Sequence, residues 1–196
     1  MPQHRYDPHT ALIVVDVQND FADPNGSLYV SGGEEVVPVV NAEIQKAQAA
    51  GAPVYYTQDW HPESTPHFQK DGGVWPVHCV MGTWGAGLHP SLDIRGEVIR
   101  KGSHGEDGYS GFTMRDPQTG DEKPTALEER LRQAGVRRVV VCGLATDYCV
   151  KETAVDALAR GFETLVLRDA VRPVDLNPGD GDRALKEIER SGGRLL

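Results

Sequence analysis

The sequence has few cysteines, no long apolar run and no excess of basic residues, and each shortage excludes a class of protein. Its three cysteines are odd in number and widely spaced, which argues against a disulfide framework and favours a reducing compartment. No apolar stretch approaches the roughly 20 residues of a membrane span, and the first ten residues lack the apolar core of a signal peptide. With 29 acidic and 20 basic residues, the net charge of −9 argues against nucleic-acid or anionic-membrane partners. We therefore expect a soluble, cytoplasmic protein that binds neither.

The 196 residues are enough for a single domain, residues 1–196, with one buried core. Short apolar runs typical of covered strands alternate with helical patterns, which predicts an α/β fold with helices on both faces of a doubly wound, mostly parallel sheet. Five or six strands are expected, in the order 3-2-1-4-5-6. The strands are predicted at residues 11–17, 53–58, 97–101, 138–142 and 163–167, with a short sixth at 194–196. The helices are predicted at residues 34–50, 126–134, 149–160 and 182–190.

Two long loops, residues 60–94 and 102–123, show no clear periodicity, and ordered loops of this length are usually functional. Aromatic residues are concentrated in the loops at the expected carboxyl edge of the sheet, where they either pack the loops down or hold a planar substrate. They are Phe21, Trp60, Phe68, Trp75, Trp84 and Tyr109. The charged segment 121–123 of the second loop has no role that the sequence predicts.

A cysteine in the turn after the fourth predicted strand is the first candidate for chemistry. Cys149 lies where a helix should begin, and the free N–H groups and positive dipole end at such a point favour the thiolate. Because ligands bind beyond the carboxyl ends of strands in such sheets, Cys149 should meet Asp16 and Lys101, which lie at the ends of the first and third strands. Asp59, just after the second strand, should reach the same edge. Asp16 could take the thiol proton, and Lys101 could hold both charges. The alternative for Cys149 alone is a buried packing residue, the role assigned to Cys79 and Cys142.

A second cluster combines one carboxylate with three imidazoles. Asp59, His61, His67 and His78 fall within twenty residues, and this mix of ligands suits one divalent ion of zinc, iron or manganese. In extended chain, residues two apart point the same way, so Asp59 and His61 can reach one ion together. The alternative is an ordinary polar loop. Cys79 adjoins His78 and is a weaker ligand candidate, because successive side chains diverge in extended chain.

Several segments resemble, in order and spacing, the nicotinamidases of the isochorismatase-like cysteine hydrolase superfamily, and the match covers nearly the whole chain. The segments are DVQNDF (16–21), DWHP (59–62), HF (67–68), WPVHCVMGTWGAGLHPSL (75–92), RKG (100–102), YSGF (109–112) and GLATDYCVKETAVDA (143–157). The resemblance implies an isochorismatase-like fold. It also implies an amidohydrolase acting on a linear amide, converting nicotinamide to nicotinic acid and ammonia in NAD salvage, with pyrazinamide as a further substrate.

The same resemblance assigns roles to individual positions. Asp16, Lys101 and Cys149 match the catalytic triad of the family. The metal ligands of the family are matched by Asp59, His61 and His78, and His67 matches an additional histidine ligand that only some bacterial members have. The metal would orient the pyridine ring.

Substrate contacts follow from the resemblance as well. The implied substrate-binding residues are Phe21, Trp75, Tyr109, Leu144 and Ala145. The Leu144–Ala145 bond corresponds to a cis peptide in the family. The N–H groups of Ala145 and Cys149 would then form an oxyanion hole for the intermediate that leads to a Cys149 thioester.

Three alternatives stay open at the level of the sequence. The first is another isochorismatase-like amidase, acting on a carbamoyl or ureido compound, although such relatives generally lack the Asp-x-His metal motif. The second is a catalytically silent binding protein with the same fold. The third is metal-centred hydrolysis with a merely structural Cys149. The sequence allows a homo-oligomer without demonstrating one.

Overall fold

The computed structural model describes residues 6–196. The single-domain prediction begins at residue 1, so its first five residues lie outside the described part of the chain. Within residues 6–196, no helix is both long enough and apolar enough to cross a membrane.

Six strands form one parallel sheet. They are β1 (Thr10–Val15), β2 (Val54–Asp59), β3 (Glu97–Lys101), β6 (Arg138–Leu144), β7 (Glu163–Arg172) and β8 (Arg194–Leu195), in the order β3-β2-β1-β6-β7-β8. Two further strands, β4 (Thr113–Arg115) and β5 (Glu122–Pro124), pair as an antiparallel hairpin outside the sheet. With the hairpin set aside, the order is the predicted 3-2-1-4-5-6. The segment 121–123, whose role the sequence left open, contributes to this hairpin.

Helices cover both faces of the sheet, as predicted for a doubly wound fold. They are α1 (Asn19–Ala22), α2 (Val36–Ala49), α3 (Leu127–Gln133), α4 (Lys151–Ala159) and α5 (Asp180–Arg190). All six residues of β1 are buried, and alternate ones belong to two separate cores, the first with α2 and the second with α3, α4 and α5. Burial on both faces explains why this strand reads as a continuous apolar run.

Several element boundaries differ from the sequence prediction, and β1, for example, ends at Val15 and not at residue 17. The chain before α2 forms a 3-10 turn at Gly33–Glu35, so the α-helix begins later than expected. Strand β7 continues to Arg172, because the exposed Arg168 and Asp169 interrupt its apolar pattern without ending its pairing. The helix expected to begin at Cys149 is preceded by a π-helical turn, Thr146–Val150, in which the N–H of Val150 donates to the Ala145 carbonyl.

The carboxyl ends of β1 and β6 approach each other closely next to the cysteine-bearing turn. A Cβ at Gly143, which has φ 111°, would lie 2.1 Å from the Val15 carbonyl oxygen. Glycine is therefore the only residue that fits this approach. Asp16, the residue after Val15, has φ 47°, a left-handed conformation that is uncommon for a non-glycine residue.

Candidate active site

Three buried side chains from separate strand ends meet at the carboxyl edge of the sheet. Asp16 follows β1, Lys101 is the last residue of β3, and Cys149 lies in the π-helical turn after β6. The Nζ atom of Lys101 is 2.8 Å from Asp16 Oδ2 and 3.7 Å from Cys149 Sγ. The sequence predicts that these three residues meet with Asp59, and the structure brings all four together, because Asp59 Oδ1 lies 2.8 Å from the same Nζ atom.

Burial dominates the electrostatics of this group. Loss of solvation raises the pKa of Asp16 to about 6, against the lowering effect of the Lys101 ammonium. Burial also raises the pKa of the Cys149 thiol well above its usual value, which Lys101 only partly offsets. For Lys101, burial alone would lower the pKa, but the carboxylates of Asp16 and Asp59 hold it well above its usual value. The resting group is therefore a charged lysine with a protonated thiol, and not the thiolate expected at a helix start.

Two supports of this group were missed by sequence reasoning. The hydroxyl of Thr57, on the neighbouring β2, donates to Asp16 Oδ1 at 2.6 Å. The Lys101 ammonium also donates to the carbonyl oxygen of Gly108, in the loop that follows β3. Neither residue stands out in the sequence, because a lone threonine in a strand and a glycine in a Gly-rich loop are both common.

The three histidines of the second cluster converge beside the cysteine group. One ring nitrogen from each of His61, His67 and His78 lies within 4.8 Å of the others, and all three residues are buried. Asp59 contributes from the end of β2, with its Oδ2 3.7 Å from His61 Nε2 and its Oδ1 2.8 Å from Lys101 Nζ. Asp59 thus links the two clusters.

The donor set of this cluster fits a divalent cation. Both ring nitrogens of His61 are buried without a hydrogen-bond partner among the described residues. Such orphaned polar atoms are costly unless a ligand occupies them. Burial lowers the pKa of His78 to about 4, so its imidazole is neutral, the state that binds a metal. Asp59 is ionised because the Lys101 ammonium, 2.8 Å away, outweighs its burial and keeps its pKa well below the usual range.

One ring nitrogen of His78 and one of His67 already have hydrogen-bond partners. His78 Nδ1 lies 2.7 Å from the Pro76 carbonyl oxygen, and His67 Nδ1 lies 2.5 Å from Asp107 Oδ1. In His67 and His78, Nε2 is therefore the nitrogen that is left for a ligand. The weaker candidate Cys79 is packed in the hydrophobic core, and burial raises the pKa of its thiol.

One more residue of the DVQNDF segment organises the site. Gln18 donates through Nε2 to the carbonyl oxygens of Asp59 and Ala86, and its Oε1 accepts the Asp59 N–H, all at 2.8–2.9 Å. A buried glutamine fully paired in this way fixes the end of β2, and therefore the carboxylate that joins the two clusters. The signal in the sequence that could have identified Gln18 was its position two residues after Asp16.

A largely apolar cavity opens above these groups. It is lined by Phe21, Leu28, Val30, Asp59, His67, Trp75, His78, Gly108, Tyr109, Leu144, Ala145, Tyr148, Cys149 and Val174. All five residues that the resemblance assigns to the substrate are among them. The indole N–H of Trp75 donates to the Tyr109 hydroxyl at 2.8 Å, and Tyr148 packs edge-on against the indole. The wall is thus mainly apolar and aromatic, as small planar ligands require.

The other aromatic candidates lie outside the cavity wall. Trp60 stacks under the guanidinium of Arg100, 3.9 Å from the ring centroid. Phe68 is fully buried against the three histidines, and Trp84 is 54% exposed. Trp60 and Phe68 thus have the packing role, and Trp84 has neither role, whereas Phe21, Trp75 and Tyr109 face the cavity. The Leu144–Ala145 peptide bond beside them is cis, as the resemblance implies.

Comparison with known proteins gives one consistent result. The Isochorismatase domain family matches residues 10–196. The nicotinamidase/pyrazinamidase of Mycobacterium tuberculosis is 43% identical over 191 residues, covering 95% of this chain and 97% of that protein. The structure of the pyrazinamidase of Pyrococcus horikoshii in complex with zinc is 43% identical, with a TM-score of 0.86 over 96% of this chain and 99% of that one. The structure of PnC1 from L. infantum in complex with nicotinate is 38% identical, with a TM-score of 0.87 over 96% of this chain and 92% of that one.

The fold and these relatives define the class of protein as an amidohydrolase. The chain belongs to the isochorismatase family.

Proposed function

We propose that this protein is a nicotinamidase that hydrolyses nicotinamide to nicotinic acid and ammonia through a thioester on Cys149. The observation that carries the proposal is that residues of both clusters line one cavity. Cys149 and His78 both lie in its wall, and Asp59 connects the two clusters through its salt bridge with Lys101. The family relatives named nicotinamidase support the substrate. NAD salvage, pyrazinamide as a second substrate, and a cytoplasmic address belong to the same proposal.

The acylation step needs a base for a protonated, buried thiol. Asp16 is ionised at neutral pH, because its pKa is about 6, and it lies within the same buried group as the Cys149 sulfur. As the sulfur attacks the amide carbon, Asp16 takes the thiol proton, and Lys101 stays charged between the two groups. The negative charge passes to the amide oxygen, where the N–H groups of Ala145 and Cys149 would stabilise it.

The rest of the cycle returns the proton. Asp16 gives it to the amide nitrogen as the C–N bond breaks, so that ammonia leaves and a thioester remains on Cys149. A water molecule then attacks the thioester carbonyl and passes a proton to Asp16. Release of the acid requires the sulfur to recover that proton, which restores the starting thiol and carboxylate. The balance is one amide and one water consumed, and one acid and one ammonia formed.

The heterocyclic ring of the substrate would be bound by residues other than those that react with the amide. Phe21 and Trp75 offer apolar faces to a planar heterocycle. Asp59, His61, His67 and His78 would hold one divalent metal, with zinc favoured by the nitrogen-rich ligand set. When bound, the metal supplies a Lewis acid for the nitrogen of a pyridine or pyrazine ring. Together these residues orient the carboxamide towards Cys149.

An ammonia-release assay on zinc-loaded protein tests the substrate. Nicotinamide should be turned over with a kcat/KM at least about tenfold higher than any carbamoyl or ureido amide, because only a ring nitrogen matches the histidine cluster. Turnover of a ureido or carbamoyl amide without turnover of nicotinamide would contradict the proposal. It would assign the protein to the other amidases of the family.

A further inference from the structure

We propose that Asp107 is a positioning residue for the metal site, and that the hairpin of β4 and β5 holds it in place. Its carboxylate keeps His67 in the tautomer whose Nε2 would be free to bind a cation. The inference rests on the metal site of the proposed function and adds to it a residue outside the ligand set.

The contact itself is short and sheltered. The carboxylate oxygen Oδ1 of Asp107 lies 2.5 Å from Nδ1 of His67, and the two side chains are 22% and 5% exposed. A carboxylate can only accept, so Nδ1 carries a proton, and the lone pair of the neutral ring is then on Nε2. Metal-binding histidines commonly have such a partner on the second nitrogen, which fixes the ring and strengthens it as a ligand. For His78, the Pro76 carbonyl oxygen fills the same place.

The backbone of Asp107 is fixed from the opposite side. Its N–H donates to the Arg115 carbonyl oxygen at 2.7 Å, and its carbonyl oxygen accepts the Arg115 N–H at 2.9 Å. Arg115 is the last residue of β4, which pairs with β5 through Glu122. The buried Glu106 lies 4.0 Å from the ammonium of Lys123, on that second strand. The hairpin is therefore the support that holds Asp107 against the histidine.

The two residues after Asp107 reach the other parts of the site. The carbonyl oxygen of Gly108 accepts from Lys101, and the hydroxyl of Tyr109 accepts from Trp75. One run of three residues thus contacts a metal ligand, the lysine and the substrate wall. Asp107 is the member of this run that hydrogen-bonds to a histidine of the cluster, and the Tyr109 ring packs 5.7 Å from that of His67.

The test measures metal affinity directly, by competition between the protein and a chromophoric chelator for zinc. Asp107→Ala should bind zinc roughly 10- to 100-fold more weakly than wild type, the usual effect of losing an outer-shell partner. Asp107→Asn should lose less, because its amide oxygen can still accept from Nδ1. Asp121→Ala is the matched control, since this carboxylate of the same hairpin accepts from Thr119 and does not touch His67. Equal losses in Asp107→Ala and Asp121→Ala would overturn the assignment.

A second measurement needs no metal. In a nitrogen NMR spectrum of the metal-free protein, His67 should be the Nδ1–H tautomer in wild type and shift towards the Nε2–H tautomer in Asp107→Ala. An unchanged tautomer, or wild-type zinc affinity in Asp107→Ala, would remove this inference and leave the proposed function standing. The proposed function can also fail while the Asp107 inference holds. Zinc binding that depends on Asp107, without ammonia release from nicotinamide, would overturn the proposed function and leave this inference in place. Wild-type protein that binds no zinc would overturn the inference together with the metal site.

Discussion

Asp59 and Lys101 form a buried salt bridge of 2.8 Å between the ends of β2 and β3. The other oxygen of Asp59 faces His61, and the same ammonium lies 2.8 Å from Asp16. One lysine is therefore paired with two carboxylates, one from the histidine cluster and one from the cysteine group. Because an unpaired buried charge is costly, the two clusters depend on Lys101 for their stability as well as for their chemistry.

Removal of that charge should destabilise the whole protein. Lys101→Met should lower the free energy of unfolding by roughly 3–5 kcal/mol at neutral pH, because Asp16 and Asp59 lose their shared partner. It should also abolish turnover. Urea denaturation followed by circular dichroism measures the loss, and the double variant Asp16→Asn/Lys101→Met should recover part of it. Lys186→Met, exposed on α5, is the control and should unfold like wild type; wild-type stability in Lys101→Met would refute the salt-bridge argument.

The pH dependence of turnover should report Asp16. Its carboxylate must be ionised to accept the Cys149 proton, and burial raises its pKa to about 6. The value of kcat/KM should therefore fall about tenfold per pH unit below pH 6. The hydroxyl of Thr57 lowers this pKa by donating to the carboxylate, so Thr57→Val should move the acid limb to higher pH. Thr57→Ser keeps the hydroxyl donor and should leave the acid limb of the pH profile in place. Identical pH profiles of kcat/KM for Thr57→Val and wild type would exclude Asp16 as the base.

Loss of a ligand from the histidine cluster should remove the metal. His61→Ala should weaken zinc binding by more than the roughly 10- to 100-fold typical of an outer-shell change, because its two unpartnered nitrogens are the clearest mark of the site. Equilibrium dialysis with elemental analysis measures the bound zinc. His104→Ala, whose side chain is 84% exposed, is the matched control. Stoichiometric zinc in His61→Ala would show that the cluster is not the metal site.

The strands and the strand-end residues could be predicted from the sequence because both follow from local pattern and one rule of topology. Apolar runs marked the strands, and the rule that ligands bind at carboxyl ends brought Asp16, Lys101 and Cys149 to one place. The protonation of Cys149 could not be predicted in this way. It depends on burial and on two nearby carboxylates, whose distances only the fold defines.

The residues that support the site, Thr57 and Asp107, could not be predicted from the sequence either, because their partners are distant along the chain. Thr57 lies 41 residues from Asp16 along the chain, and Asp107 lies 40 residues from His67. A residue that acts through a partner so far away carries no local signature. The π-helical turn around Cys149 was missed because its residues also fit the start of an ordinary helix.

The measurement that tests the central claim most directly is the search for an acyl-enzyme. Wild-type protein turning over nicotinamide, quenched in acid and digested, should carry a nicotinoyl group on the peptide that contains Cys149. Cys149→Ala should lose ammonia release by at least about a thousandfold, whereas Cys142→Ala, which alters a thiol inside the core on β6, should keep it. Undiminished turnover by zinc-loaded Cys149→Ala, with no adduct in wild type, would contradict the account and point to hydrolysis centred on the metal.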